Sequence, residues 1–160
     1  MKQFRHAIIL TILAGCGTAL AAGGDPGTPI RDTEPKDQTV EAAQAKIAAR
    51  DWAGAGELLA KAIARSPQNA DYHNLYAYAL RKGPNPNLEL VFRHYNEALR
   101  IDPKHRGAHE YLGEAYLMQG NLAKAREHLA QLDRLCTFGC EEYSMLKKAV
   151  AEFEQRQAKK

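Results

Sequence analysis

The sequence predicts an all-α fold of stacked helical hairpins, a short solenoid, and three observations lead there. From about residue 38 onward the bulky apolar side chains recur at intervals of three and four, the period of an amphipathic helix, and no stretch alternates for long as a strand would. Breaks fall at Arg50-Asp51, Ser66-Pro67, Gly83 to Asn87, Asp102-Pro103, Gly120-Asn121 and Phe138-Gly139, which leaves helices of roughly 10 to 16 residues between them. Similar side chains also return at similar spacings along the chain, the mark of stacked units that cannot bury their apolar faces alone. With 160 residues, 45% of them apolar and 26% charged, there is room for one ordinary soluble domain.

The first residues have the layout of a secretory signal: Lys2, Arg5 and His6, then the apolar run Ala7 to Ala14, then small residues. Counted to Ala22 the run is about 16 residues, shorter than the roughly 20 a helix needs to cross a bilayer. Ala19-Leu20-Ala21 suits an ordinary signal peptidase, which would remove residues 1–21 and release a soluble protein. Leu13-Ala14-Gly15-Cys16 resembles the lipobox of bacterial lipoproteins, which would instead leave a lipid on Cys16 as the only membrane attachment. Gly17 to Ala22 stays apolar, as a continuing signal core would, and this favours soluble release. Both routes lead to the periplasm or the cell surface.

Loss of Lys2 and Arg5 reduces the 22 basic side chains to 20 against 19 acidic ones, so the basic excess belonged largely to the signal. No basic tract with interleaved aromatics remains, and this excludes a nucleic-acid footprint. Residues 22–37 combine glycine, proline and acids with one bulky apolar side chain, Ile30, too little to offset the entropy of ordering. They read as a flexible linker ahead of a domain over residues 38–160.

Within that domain, residues 36–68 carry Asp51-Trp52, Ala55, Leu59, Ala62-Ile63 and Pro67, preceded by a first helix over about residues 40–49 with small side chains. Residues 69–105 carry Tyr72, Leu75, Gly83, Tyr95, Ala98-Leu99 and Asp102-Pro103. Residues 106–139 carry Ala108, Leu112-Gly113, Tyr116, Gly120-Asn121, Ala125 and Leu129. The last set resembles the pattern of the tetratricopeptide repeat (TPR), with His109 at its aromatic position. Pairing Leu75 with Leu112 puts Tyr76 where the pattern has glycine and Ala79 where it has tyrosine. The same pairing leaves a surplus of three residues in Gly83 to Asn87, which a turn absorbs. Small residues (Ala62, Ala98, Ala115, Ala125) would let helices approach, while Trp52, Tyr95, Leu112, Tyr116 and Leu129 fill the space between pairs.

A last helix over residues 141–157 places Tyr143, Leu146, Val150 and Phe153 on one face, with Glu141 and Glu142 in its first turn, as the helix dipole prefers. It reads as the cap of the solenoid. Cys136 and Cys140 flank the turn before it; in an oxidising compartment they are expected to pair, because Cys16 is removed or acylated. A redox-active or metal-binding thiol pair is the alternative, although the spacing is not Cys-x-x-Cys. His105, His109 and His128 could share a helical face as metal ligands, but a turn position and a repeat aromatic position suit them better as packed or solvated side chains, as with His73 and His94.

No Gly-rich phosphate loop, nucleophile elbow or paired metal motif occurs, so neither an enzyme nor a bound cofactor is expected. The resemblance implies a module that binds a protein or peptide in a concave groove lined by the first helix of each pair. Carried over residue by residue, the groove positions are Ala70, His73, Ala77, Leu80 and Arg81 in the second repeat and Glu110, Glu114, Leu117 and Met118 in the third. The family's basic clamp for a C-terminal carboxylate is unmatched, since His73 and Ala77 stand where lysine and asparagine are expected.

Overall fold

In a computed structural model the protein is described over residues 37 to 159. The expected signal over 1–21, Cys16 and residues 22–36 of the expected linker lie outside the described residues. The described chain is helical: α1 (Gln38–Ala48), α2 (Trp52–Arg65), α3 (Ala70–Lys82), α4 (Leu88–Ile101), α5 (Arg106–Met118), α6 (Leu122–Leu135) and α7 (Glu141–Ala158). No strand occurs among these residues.

Side-chain caps place the helix starts. Asp51 accepts from the Gly54 amide at 2.9 Å, and Asn69, Asn87 and Asn121 accept from Tyr72, Leu90 and Lys124 amides at 3.1 Å, each satisfying an amide the helix itself leaves unpaired. Asp37, expected at the end of the linker, is part of the domain. Its carboxylate caps α1 through the Thr39 and Val40 amides and accepts the Tyr72 hydroxyl at 2.7 Å, which fixes the start of α1 to the start of α3. Turns that need a left-handed residue use Gly120 (φ 76°) and Gly139 (φ 82°), but Arg50 (φ 58°) between α1 and α2.

The helices pair as hairpins α1/α2, α3/α4 and α5/α6, and α7 closes the stack against α5 and α6. The first helices adjoin one another, α1 on α3, α3 on α5 and α5 on α7, and form an inner row. One apolar cluster fills each junction: Ala43, Leu59, Ala62, Tyr72 and Leu75; then Ala77, Val91, Tyr95, Leu112 and Ala115; then Leu117, Ala125, Leu132, Leu146 and Val150. Ala62, Ala98, Ala115 and Ala125 are buried as expected, and Tyr95 and Leu112 fill the second junction. Trp52, Tyr116 and Leu129 are only half-buried. At the last junction a Cβ on Gly113 would lie 2.6 Å from Leu146 Cδ2, so the glycine is what lets α7 approach α5.

Candidate functional site: a cleft on the inner helix row

Two histidine pairs fix how the second and third repeats correspond. His73 Nε2 donates to the Pro67 carbonyl at 3.0 Å, and its Nδ1 lies 2.8 Å from Nδ1 of His94. His109 repeats the arrangement, with the Pro103 carbonyl at 3.1 Å and His128 Nδ1 at 2.9 Å. His73 therefore matches His109, Tyr76 matches Leu112, Ala77 matches Gly113 and Leu80 matches Tyr116. Pairing Leu75 with Leu112 is one residue out of step, so the surplus in the turn from Gly83 is one residue smaller than expected.

One residue on a helix is a rotation of about 100°, and it moves three of the expected groove positions of α3, His73, Ala77 and Leu80, to the wrong side. His73 is buried against α4, and Ala77 is sealed in the second apolar cluster. Leu80 packs on that cluster. In α5, Leu117 is buried in the third cluster under α7 rather than free for a ligand. Arg81, Glu110, Glu114 and Met118 do face the inner row, where Met118 is 52% exposed. The residues missed from α3 are Asn74, Tyr78 and Lys82, the true counterparts of Glu110, Glu114 and Met118. The recurrence of a histidine six residues after a proline was the sequence signal that could have found them.

The inner row encloses an open cleft of about 480 Å³ between α3, α5 and α7, lined among others by Asn74, Tyr78, Glu110, Tyr111, Glu142 and Met145. A smaller depression of about 230 Å³ adjoins it and shares Glu114, with Arg81, Leu117 and Met118 beside it. Arg81 organises the floor. Its guanidinium donates to Glu114 Oε2 at 2.7 Å and to the Tyr95 hydroxyl at 3.2 Å, and it stands over the rings of Tyr78 and Tyr111 at 5.4 and 5.8 Å. Burial pushes the Tyr111 phenol up to about 12, so it remains a neutral hydroxyl at physiological pH.

Two polar groups in this cleft lack partners. Asn74 is 4% exposed, and its Oδ1 accepts no hydrogen bond. Glu110 is 7% exposed, and among the described residues no hydrogen bond or ion pair reaches its carboxylate. Burial, followed by the neighbouring carboxylates of Glu114 and Glu142, raises Glu110 to about 7. Three of the other acids in the cleft are engaged to differing degrees: Asp71 with His105 at 3.0 Å, Glu114 with Arg81, and Glu142 with Arg106 at 3.6 Å.

The remaining expected sites lie elsewhere. His105 caps α5 through Nδ1, accepting from the Ala108 amide at 3.1 Å, while His109 and His128 form one of the inter-helix pairs. Among the described residues no group of three or more His, Cys, Asp or Glu side chains could hold a metal ion. Cys136 and Cys140 are joined by a disulfide with Cα atoms 5.6 Å apart, and the intervening Phe138 is fully exposed.

Two family models, each described as tetratricopeptide repeat, match residues 40–87 and 91–150. The chain belongs to the tetratricopeptide-repeat family. A TPR repeat-containing thioredoxin, TTL4, of Arabidopsis thaliana is 37% identical over 79 residues, which make up 49% of this chain and 11% of that protein; the chain thus spans about a tenth of this relative's length. Among solved structures the TPR domain is similar to the Yersinia enterocolitica type III secretion chaperone SycD in complex with a peptide of the translocator YopD, with a TM-score of 0.63 and 13% identity over 75% of this chain and 92% of that one. PcrH, in complex with the chaperone binding region of PopD, gives a TM-score of 0.62 at 16% identity, over 76% of this chain and 90% of that one. At these identities the likeness is one of fold.

Proposed function

We propose that the protein is an exported, non-enzymatic adaptor that holds a segment of another protein in the cleft between α3, α5 and α7. The observation that carries this reading is an open cleft floored by tyrosine rings and lined by Asn74, whose buried Oδ1 has no partner among the described residues. The solved structures of similar fold in complex with partner peptides support it. The N-terminal segment supports export to the periplasm, with soluble release after residue 21 rather than attachment through Cys16.

A photo-crosslinking side chain at Tyr78, inside the cleft, should capture partner segments from a periplasmic extract. The same side chain at Ala60, exposed on α2, should not. Equal capture at both positions would reject the cleft. The mass of the mature chain tests the exit: a chain beginning at Ala22 is expected, lipid on Cys16 would establish the alternative, and an intact Met1 would overturn export.

A further inference from the structure

Resting on that reading, we infer that the cleft selects a partner segment carrying a lysine or arginine, whose cationic head is received by Glu110 and whose backbone is registered by Asn74. Asn74 lines the cleft and is almost fully buried there, and its Oδ1 is an acceptor with no donor; a turn of the amide toward the cleft would let a peptide N–H satisfy it. Glu110 is a buried carboxylate with no donor of its own, one turn from Glu114 on the same face of α5. A second acceptor without a donor in the same cleft points to a ligand rich in donors.

The charges around Glu110 give the sign of that ligand. From α7 it faces Glu141 and Glu142, from its own helix Glu114 and Tyr111, and from α3 Arg81 and Tyr78. Arg81 already serves Glu114 and Tyr95, so its donors are largely taken. His105 is engaged with Asp71, and Lys82 stands at the rim over the Tyr78 ring at 5.9 Å. A carboxylate ligand would add another negative group to this set, and an apolar one would leave Glu110 and Asn74 buried without partners. A guanidinium or ammonium group supplies the missing donors, and the tyrosine rings accept its apolar stem and its charge. A metal ion is the poorer match, because no set of three ligating side chains converges among the described residues.

The test uses the mature chain and three fluorescent pools of random heptapeptides with blocked ends, whose central residue is fixed as Lys, Leu or Glu. The Lys pool should bind about tenfold tighter than the Leu pool, the size expected when a buried charge gains its partner, and the Glu pool should bind weakest. Glu110→Gln should abolish the Lys preference, bringing the Lys and Leu pools to the same affinity, because the amide keeps the shape and loses the charge. Asn74→Leu should weaken the Lys and Leu pools alike and keep the preference. As Glu110 ionises, Lys-pool affinity should rise between about pH 5.5 and pH 8 in the native protein and stay flat in Glu110→Gln, since a cation favours the ionised carboxylate. Circular dichroism melts confirm that the variants are folded. Equal binding of the Lys and Leu pools, or tighter binding of the Glu pool, would overturn the cationic selectivity while leaving a peptide-binding cleft. Absence of binding by any pool, or binding that appears only when residues 22–36 are deleted, would overturn the partner segment as occupant.

Discussion

Burial makes the Glu110 carboxylate expensive to ionise, and its neighbours Glu114 and Glu142 add repulsion. Its folded pKa of about 7 lies above the ordinary carboxylate value of 4.5, so the native state holds the proton longer than the unfolded chain does. The favourable contribution is therefore complete below about pH 4.5 and disappears as pH rises through 7. Glu110→Gln should stabilise the domain by about 1 kcal/mol at pH 8, the shift being discounted for water that reaches the cleft, and that gain should vanish near pH 4.5; a gain equal at both values would refute the assignment. Arg81 makes the opposite case. Removing its guanidinium leaves the Tyr95 hydroxyl and Glu114 unpaired in a buried setting. Arg81→Met should cost about 2–4 kcal/mol in urea unfolding, and Arg81→Lys should recover only part of it, because one ammonium cannot reproduce the fork. At this scale the sequence revealed α5's contribution to the cleft, Glu110 and Glu114, because the third repeat keeps the family pattern. It concealed Asn74 and Tyr78, because Leu75 and Tyr76 are both large and apolar and either could be aligned with Leu112. Packing resolves that ambiguity by placing Tyr76 against His94 at 4.7 Å.

The helices themselves were legible almost to the residue, since the breaks coincide with short polar caps and prolines whose effects are local. What could not be read was how closely each helix approaches its neighbour. Gly113 permits the α5–α7 contact, and an added methyl would meet Leu146 Cδ1 and Cδ2 at 2.8 and 2.6 Å. Leu146 is fully buried and has little room to withdraw, so Gly113→Ala should lose about 1–2 kcal/mol, strain outweighing the higher helix propensity of alanine. In the Gly113→Ala background Leu146→Ala should cost less than it does alone; additive losses would show that the two do not meet. The hairpins carry a second device, the His73–His94 and His109–His128 pairs. Burial, then the partner imidazole, holds His94 and His128 down at about 4 from 6.5. As pH falls the unfolded chain takes up these protons first, so their contribution is complete above about pH 6.5 and is lost as pH falls toward 4. Between pH 7 and pH 4.5 the melting temperature of the native chain should fall further than that of a His94→Gln, His128→Gln variant. Parallel falls would remove the histidine pairs from the acid response.

At the scale of the whole molecule, a stack held by neighbour contacts should fail from the end that loses its cover. α7 supplies Leu146 and Val150 to the last apolar cluster, with Tyr143 and Phe153 at its margin, and without it Leu117 and Leu132 would face water. The disulfide before α7 closes a far smaller unit. By the loop-entropy relation a ring of about five residues contributes about 2 kcal/mol at most, and Phe138 inside it is fully exposed and adds no packing. The two perturbations should therefore differ in kind. A Cys136→Ser, Cys140→Ser chain should keep a single cooperative melt and show faster amide exchange chiefly in the turn and the first turn of α7. A chain ending at Gly139 should lose exchange protection in α5 and α6 first, retain it longest in α1 to α3, and self-associate through the uncovered face as concentration rises. Protection lost uniformly along the truncated chain would mean that the domain is one indivisible cooperative unit, and that α7 acts on its global stability rather than as the cover of its last junction.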